Sequence, residues 1–225
     1  MNETEMNEIP TDAFERPLGR LDVLYLEARS RFESWAAIDA PHLPVVAVDA
    51  MQVRLARWQT ANFGAPRDVE IALGAVEELG ETYDATDRAN IVDGIGDVVV
   101  YLGQLFTSNR LAIGPALVAA NEAHLEMLVG DRETGKAKAV AAAGYLAHVV
   151  LKRAQRIRGM ADDDEFRRAL FRAAVDLVVA ATDWLAVVYG ADSVFDQGGA
   201  PGIYLAVGET VLARDWKKDP LGGQA

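Results

Sequence analysis

The sequence contains no cysteine in its 225 residues. That absence excludes a disulfide scaffold, thiolate-bound zinc, iron–sulfur clusters and a thiol nucleophile. Histidine is nearly absent as well, at three residues. Positive charge is in deficit: 22 Lys and Arg stand against 34 Asp and Glu, a formal net charge of −12. Nucleic-acid binders and proteins that dock on anionic membranes need a basic surface to displace counterions, so this balance argues against both partners. An anionic substrate would need a local basic pocket or a metal. No apolar run reaches the roughly 18–20 residues of a membrane helix. The N-terminal stretch "MNETEMNEIPTDAFERP" is acidic and lacks an apolar h-region. A soluble, cytoplasmic protein is expected.

What is present is hydrophobic residue, 51% of the chain. That suffices for one large core or two small fused ones. Residues 1–19 read as an acidic arm, followed by a first helix near 21–37 and a proline-marked connection, "APHLPVVAVDA", at 40–50. Apolar periodicity then predicts helices at about 48–62, 68–86, 88–107, 113–128, 133–158, 163–190 and 201–213. One stretch is ambiguous, "IVDGIGDVVVYL". Its apolar stripe runs on from Val98 to Leu102, Leu105 and Phe106, longer than an ordinary strand, so it too reads as helix. The expected fold class is all-α, a helical bundle.

Three glutamates interrupt the apolar run "LGAVEELGETYDA". On a helix Glu77, Glu81 and Glu78 fall at about 0°, 40° and 100°, and Gly74 shares their arc and leaves room beside them. In the next helix Asp93 and Asp97 lie about 40° apart, with Tyr101 one turn further on the same face. Five carboxylates thus come from two sequential helices. A lone Glu-Glu pair is ordinarily a solvated face. Here, however, like charges repel at i, i+3 and i, i+4, and no Lys or Arg lies between Asp68 and Thr86 to relieve them. Hard oxygen donors without His or Cys select Mg²⁺ or Mn²⁺. A di-iron carboxylate bundle needs Glu-x-x-His pairs, and His42, His124 and His148 do not form them with these acids.

These residues resemble the all-α nucleoside triphosphate pyrophosphohydrolases of the MazG-like superfamily, which includes the dimeric dUTPases. The family signature Glu-Glu-x-x-Glu is matched by "EELGE" at 77–81, and the acidic pair one helix later by "DGIGD" at 93–97. "WQTANFG" at 58–64 is similar to a segment that lies near the nucleotide in phage and actinobacterial members. "LKRAQRIRG" at 151–159 and "RDWKKDP" at 214–220 resemble the family's basic segment and its ending. Two positions depart from the pattern: Gly94 stands where the second motif has Glu, with Asp93 beside it, and Arg156 stands where the basic segment has Gly. The resemblance implies hydrolysis of a (d)NTP, most readily a deoxynucleotide, to the monophosphate and pyrophosphate. It implies Glu77, Glu78, Glu81 and Asp97 as catalytic residues, these with Asp93 as ligands of Mg²⁺ or a substituting Mn²⁺, and Trp58, Gln59, Asn62, Lys152, Gln155, Arg158, Lys217 and Lys218 as substrate contacts. A phosphoribosyl-ATP pyrophosphohydrolase and a non-catalytic helical binding relative are the alternatives.

Sliding the chain on itself sets Gly80 against Gly144. Glu77, Glu78 and Glu81 then face Ala141, Ala142 and Tyr145, and across a longer loop Asp97 faces Asp176 and Asp93 faces Arg172. The expected organisation is an arm with a first helix (1–45), an acid-bearing repeat (46–128) and a degenerate repeat with the basic segment (129–225), a dimer fused into one chain. A homodimer of such chains is compatible with it. The expected site lies across the seam, with the acids facing Lys152 and Arg158.

Plainer readings stand beside the functional ones. Lys and Arg late in a helix also complement its dipole. Trp58 stacks on a base or packs the seam, Asn62 reads a base edge or caps its helix before Gly64, and His148 polarises a phosphate or supports the core. Trp35 and Trp184 are expected in the core.

Overall fold

The computed structural model describes residues 19–37, 47–124, 132–190, 194 and 198–214. The acidic arm, most of the proline-marked connection, Lys217 and Lys218 lie outside them, as does the side chain of Trp35. Among the described residues the chain forms no strand and eight helices: α1 (Arg20–Ala37), α2 (Ala47–Phe63), α3 (Asp68–Asp84), α4 (Arg88–Ser108), α5 (Gly114–His124), α6 (Arg132–Gln155), α7 (Asp163–Tyr189) and α8 (Gly199–Ala213). The fold is all-α, as the periodicity predicts.

Local chemistry sets the ends. The Glu70 carboxylate reaches back to accept the Arg67 N–H at 2.8 Å, the reciprocal half of a capping box at the start of α3. Asp87 accepts the Asn90 N–H at 3.0 Å and opens α4, and Asp162 accepts the N–H groups of Asp164 and Glu165 at 2.9 Å and opens α7. The end of α6 differs from the expectation of a helix through 158. It stops at Gln155, and Arg156 follows at φ 54° with the Ile157 N–H donating to the Lys152 carbonyl at 3.2 Å. This six-to-one bond around a left-handed residue is a Schellman close, with arginine where glycine is usual. Arg153 secures the turn, its guanidinium donating to the Met160 and Ala161 carbonyls at 3.0 Å each.

Helices α4 and α7 carry the most continuous buried surface, including Ile91, Ile95, Val98, Leu102, Leu105 and Phe106 on one and Phe166, Leu170, Phe171, Leu177 and Trp184 on the other. Phe106 and Phe171 meet with ring centroids 6.0 Å apart. The ambiguous stretch is therefore the heart of a core helix. Although α4 is long and apolar enough to cross a membrane, 61% of its apolar window is buried within the fold. Gln52 of α2, itself buried, holds the α4–α5 turn: its amide donates to the Leu111 carbonyl at 2.9 Å and accepts the Ile113 N–H at 2.8 Å. All its polar atoms are used, so it costs little to bury.

The helix pairings repeat. Helix α3 packs on α4 as α6 packs on α7, α8 packs on α4 as α5 packs on α7, and α2 lies against α8 and α4 as α1 lies against α5 and α7. Three further pairings, α3 with α6, α4 with α7 and α5 with α8, join the two sets, and a small contact of α7 with α8 stands outside the pattern. The C-terminal helix α8 therefore sits on the acid-bearing α4 of the first half.

Candidate functional site: an acidic cleft between α3 and α4

Helix α3 brings Glu77 and Glu81 to the surface with Glu78 half-buried beside them, and α4 brings half-buried Asp93 and Asp97. Two glycines let the helices close. A β-carbon at Gly74 would stand 2.4 Å from the Tyr101 ring, so the room expected beside the carboxylates is occupied by Tyr101. A β-carbon at Gly94 would stand 2.0 Å from Thr82 Oγ1. Gly94 is thus a close-packing position between α3 and α4, and no longer side chain fits there without moving Thr82.

The acids share one field. Burial first, then the charges of Asp97, Glu81 and Glu77, push the Glu78 carboxyl up to about 7, with Arg214 pulling the other way. Asp97 is pushed up to about 6 by burial and by Asp93, again against Arg214. Burial and the charges of Glu78 and Asp97 also raise the Tyr101 hydroxyl. Crowded like charges in a partly dry site favour the protonated form. None of the five carboxylates makes an ion pair or a side-chain hydrogen bond with another described residue.

Other expected contacts fall at differing places. Gln104 lies on the stripe of α4 that carries Asp93, Asp97 and Tyr101, about 20° from Asp93 around the axis. Its amide donates to Gln59 at 3.1 Å, which ties the "WQTANFG" helix to the acid-bearing face. Trp58 is half-buried against the core, with its ring edge-on to Phe63 at 5.6 Å. Asn62 donates its amide to the Trp58 carbonyl one turn back on its own helix at 2.9 Å. Trp184 is in the core. His148 stacks on Tyr145, the residue set against Glu81, with ring centroids 6.4 Å apart.

The basic segment is not joined to the acids. Lys152 donates to Gln155 at 3.0 Å on its own helix, and Arg158 is exposed beyond the helix end at φ 56°. Neither makes an ion pair with a described carboxylate. Helix α6 stops at Gln155, so Arg156 leaves the helical face that carries His148 and Lys152. The cation whose charge acts on both Glu78 and Asp97 is Arg214, just past α8. It opens the "RDWKKDP" segment, where sequence reasoning weighted the two lysines and passed over the arginine.

The donor set suits a hard divalent cation, being all carboxylate oxygen and, among the described residues, unpaired with basic side chains, with Glu78 and Asp97 raised in pKa by burial and then by their acidic neighbours. Among the described residues no three His, Asp or Glu side chains are gathered as ligands of one ion. The donors suit Mg²⁺ by their chemistry, with Glu77 and Glu81 exposed and, as placed, not gathered around one ion. Compared with known proteins, the chain matches no family model, no curated protein and no solved structure.

Proposed function

We propose that this protein is a Mg²⁺-dependent nucleoside triphosphate pyrophosphohydrolase, releasing a nucleoside monophosphate and pyrophosphate. The observation that supports this reading is that the packed pair α3 and α4 carries five carboxylates whose charges act on one another, with the Glu78 carboxyl pushed up to about 7 by burial and by its acidic neighbours. Glu77, Glu81, Asp93 and Asp97 would hold Mg²⁺, and the bound ion would neutralise phosphate charge and lower the pKa of a water. Glu78, the carboxyl nearest neutrality, would accept a proton from the attacking water through a carboxylate oxygen. The guanidinium of Arg214, whose charge acts on Glu78 and Asp97, would offset charge on the departing pyrophosphate. Gln59 would contact the nucleotide from the α2 side and Trp58 would flank it.

The repeated helix pairings support reading the chain as two diverged copies of one unit. Under that reading α1 is the second copy's counterpart of α2, so the boundary expected at residue 46 divides the copies less well than exchange of whole helices does. By the same pairings α8 is the first copy's counterpart of α5, so Arg214, just past α8, would reach the acids from the far end of the chain.

The test is a panel of dNTPs and NTPs incubated with Mg²⁺ and scored for monophosphate and pyrophosphate. Activity should vanish in excess EDTA. Orthophosphate as sole product would refute attack at the α-phosphorus, and inertness to the whole panel with retained Mg²⁺-dependent nucleotide binding would favour a non-catalytic binding protein.

A further inference from the structure

One pair of side-chain amides joins α2 to α4 beside the acids. Gln104 Nε2 donates to Gln59 Oε1 at 3.1 Å, and neither amide has another hydrogen-bond partner among the described residues. A carboxamide carries two N–H donors and one acceptor oxygen, and by turning over it exchanges the two ends. In this pair the turn is settled: Gln104 takes the oxygen of Gln59, and the NH₂ of Gln59 is left open. Both residues are half-buried, so the open group stays within reach of a ligand. The Thr60 hydroxyl and the Asn62 amide, by contrast, donate back to carbonyls of α2 itself, Ala56 and Trp58, at 2.9 Å each.

The pair stands at a useful place. Gln104 follows Asp97 by about two helical turns and returns to within about 20° of it around the axis, so it lies about 10 Å further along the same stripe of α4. Phosphates held at the acids would leave the nucleoside to extend along that stripe toward α2. A free glutamine there would lose rotamer freedom on meeting a ligand, and the hydrogen bond from Gln104 fixes the side chain before any ligand arrives.

We propose that Gln104 is a positioning residue for the nucleotide: it holds the Gln59 amide with its NH₂ toward the cleft, where that group donates to an acceptor atom of the nucleoside. The inference rests on the proposed nucleotide site, and its test is read in binding as well as in turnover. The probes are the α,β-imido analogues of dATP, dCTP, dGTP and dUTP, titrated with Mg²⁺ into the full-length protein by calorimetry. Wild type, Gln104→Met, Gln59→Met and the double variant form a cycle, since methionine keeps the unbranched length and removes the amide. For the analogue that binds most tightly, each single substitution should weaken binding by about threefold to tenfold, the scale of one hydrogen bond. The double variant should bind no more weakly than Gln59→Met alone, because Gln104 acts through Gln59. In hydrolysis of the matching dNTP the loss should fall on KM rather than on kcat. Should Gln104→Met fail to fold, Gln104→Leu takes its place in the cycle. Unchanged affinity in Gln104→Met, losses that multiply in the double variant, or a fall in kcat at constant KM would each overturn the proposal and leave the hydrolase standing. A coupled cycle in a protein that binds the analogues but releases no pyrophosphate from dNTPs would sink the hydrolase and uphold the role of Gln104. Binding of none of the four analogues would overturn both.

Discussion

The α3–α4 face and the α6–α7 face are built on the same helix pairing and carry opposite chemistry. On the first, Glu77, Glu78 and Tyr101 fill the space and the carboxylates repel one another. On the second, Ala141, Ala142 and Ala180 leave it open as a cavity of about 930 Å³. The helices themselves differ: α6 has 24 residues and α3 has 17, and the basic segment follows only the longer one. Packing between α3 and α4 needs Gly74 and Gly94, whereas the positions set against them are Lys138 and Ala173. What the contrast teaches is that a helix pair can be kept while its facing side chains are exchanged. The core contacts of α4 and α7 lie on other faces and hold the pair together.

The largest expected effect tests whether the acidic face is chemical. Glu78→Gln should lower kcat by about 10²- to 10³-fold, the scale of losing a group that acts in the transition state. Mg²⁺ affinity should change little, while Asp97→Asn should weaken it. Pyrophosphate release and metal titration separate the two. On the opposite face Ala142→Glu should create no activity, since Ala141 and Tyr145 supply no partner ligand. An active Ala142→Glu variant combined with Glu78→Gln would break the contrast between the faces.

Next in size is packing. Gly94→Glu restores the residue of the resembled motif yet drives a β-carbon into Thr82, at 2.0 Å from its hydroxyl. A loss of about 2 kcal/mol in urea unfolding is expected, within the range for overpacking, with no gain in hydrolysis. Ala173→Gly, the corresponding exchange on α7, should cost about 1 kcal/mol from helix propensity. Equal effects at the two positions would show that the close approach is not special to the acid-bearing pair.

The pH dependence has a definite sign. Glu78 and Asp97 titrate near 7 and 6 in the folded protein, above the ordinary values of 4.5 and 3.8 that describe the unfolded chain. Between those limits the folded state holds more protons, so stability falls as pH rises. The metal-free protein should lose melting temperature from about pH 4 to about pH 7, and Mg²⁺ should recover it mainly at the upper end. Glu78→Gln should flatten the slope. A metal-free stability that rises over this interval would contradict the electrostatic picture of the cleft.

The smallest effect lies at the end of α6. Arg156→Gly relieves a left-handed arginine and should stabilise by about 1 kcal/mol, read as a rise in the urea midpoint. No change in kcat/KM is expected, since the segment makes no contact with the acids. A large fall would instead return the basic segment to the site.

Much of the molecule was legible before folding. Helix existence followed from apolar spacing, and the ambiguous "IVDGIGDVVVYL" became α4 because its stripe continued to Phe106. The acids were legible because three glutamates without a nearby cation are costly. The end of α6 was misplaced by three residues, since a Schellman close normally announces itself with glycine and here uses Arg156.

By itself the sequence determined the all-α class, the helix order and the grouping of Glu77, Glu78 and Glu81 on one face, because these depend on spacing along one chain and on repulsion between near neighbours. Tertiary structure decided the rest. That Arg214 acts on Glu78, that Gly94 is held by Thr82, and that three alanines open a cavity beside Asp176 all depend on which helices touch. Those contacts arise from the burial of α4 and α7 against surfaces far away in sequence, and no local pattern encodes that distance.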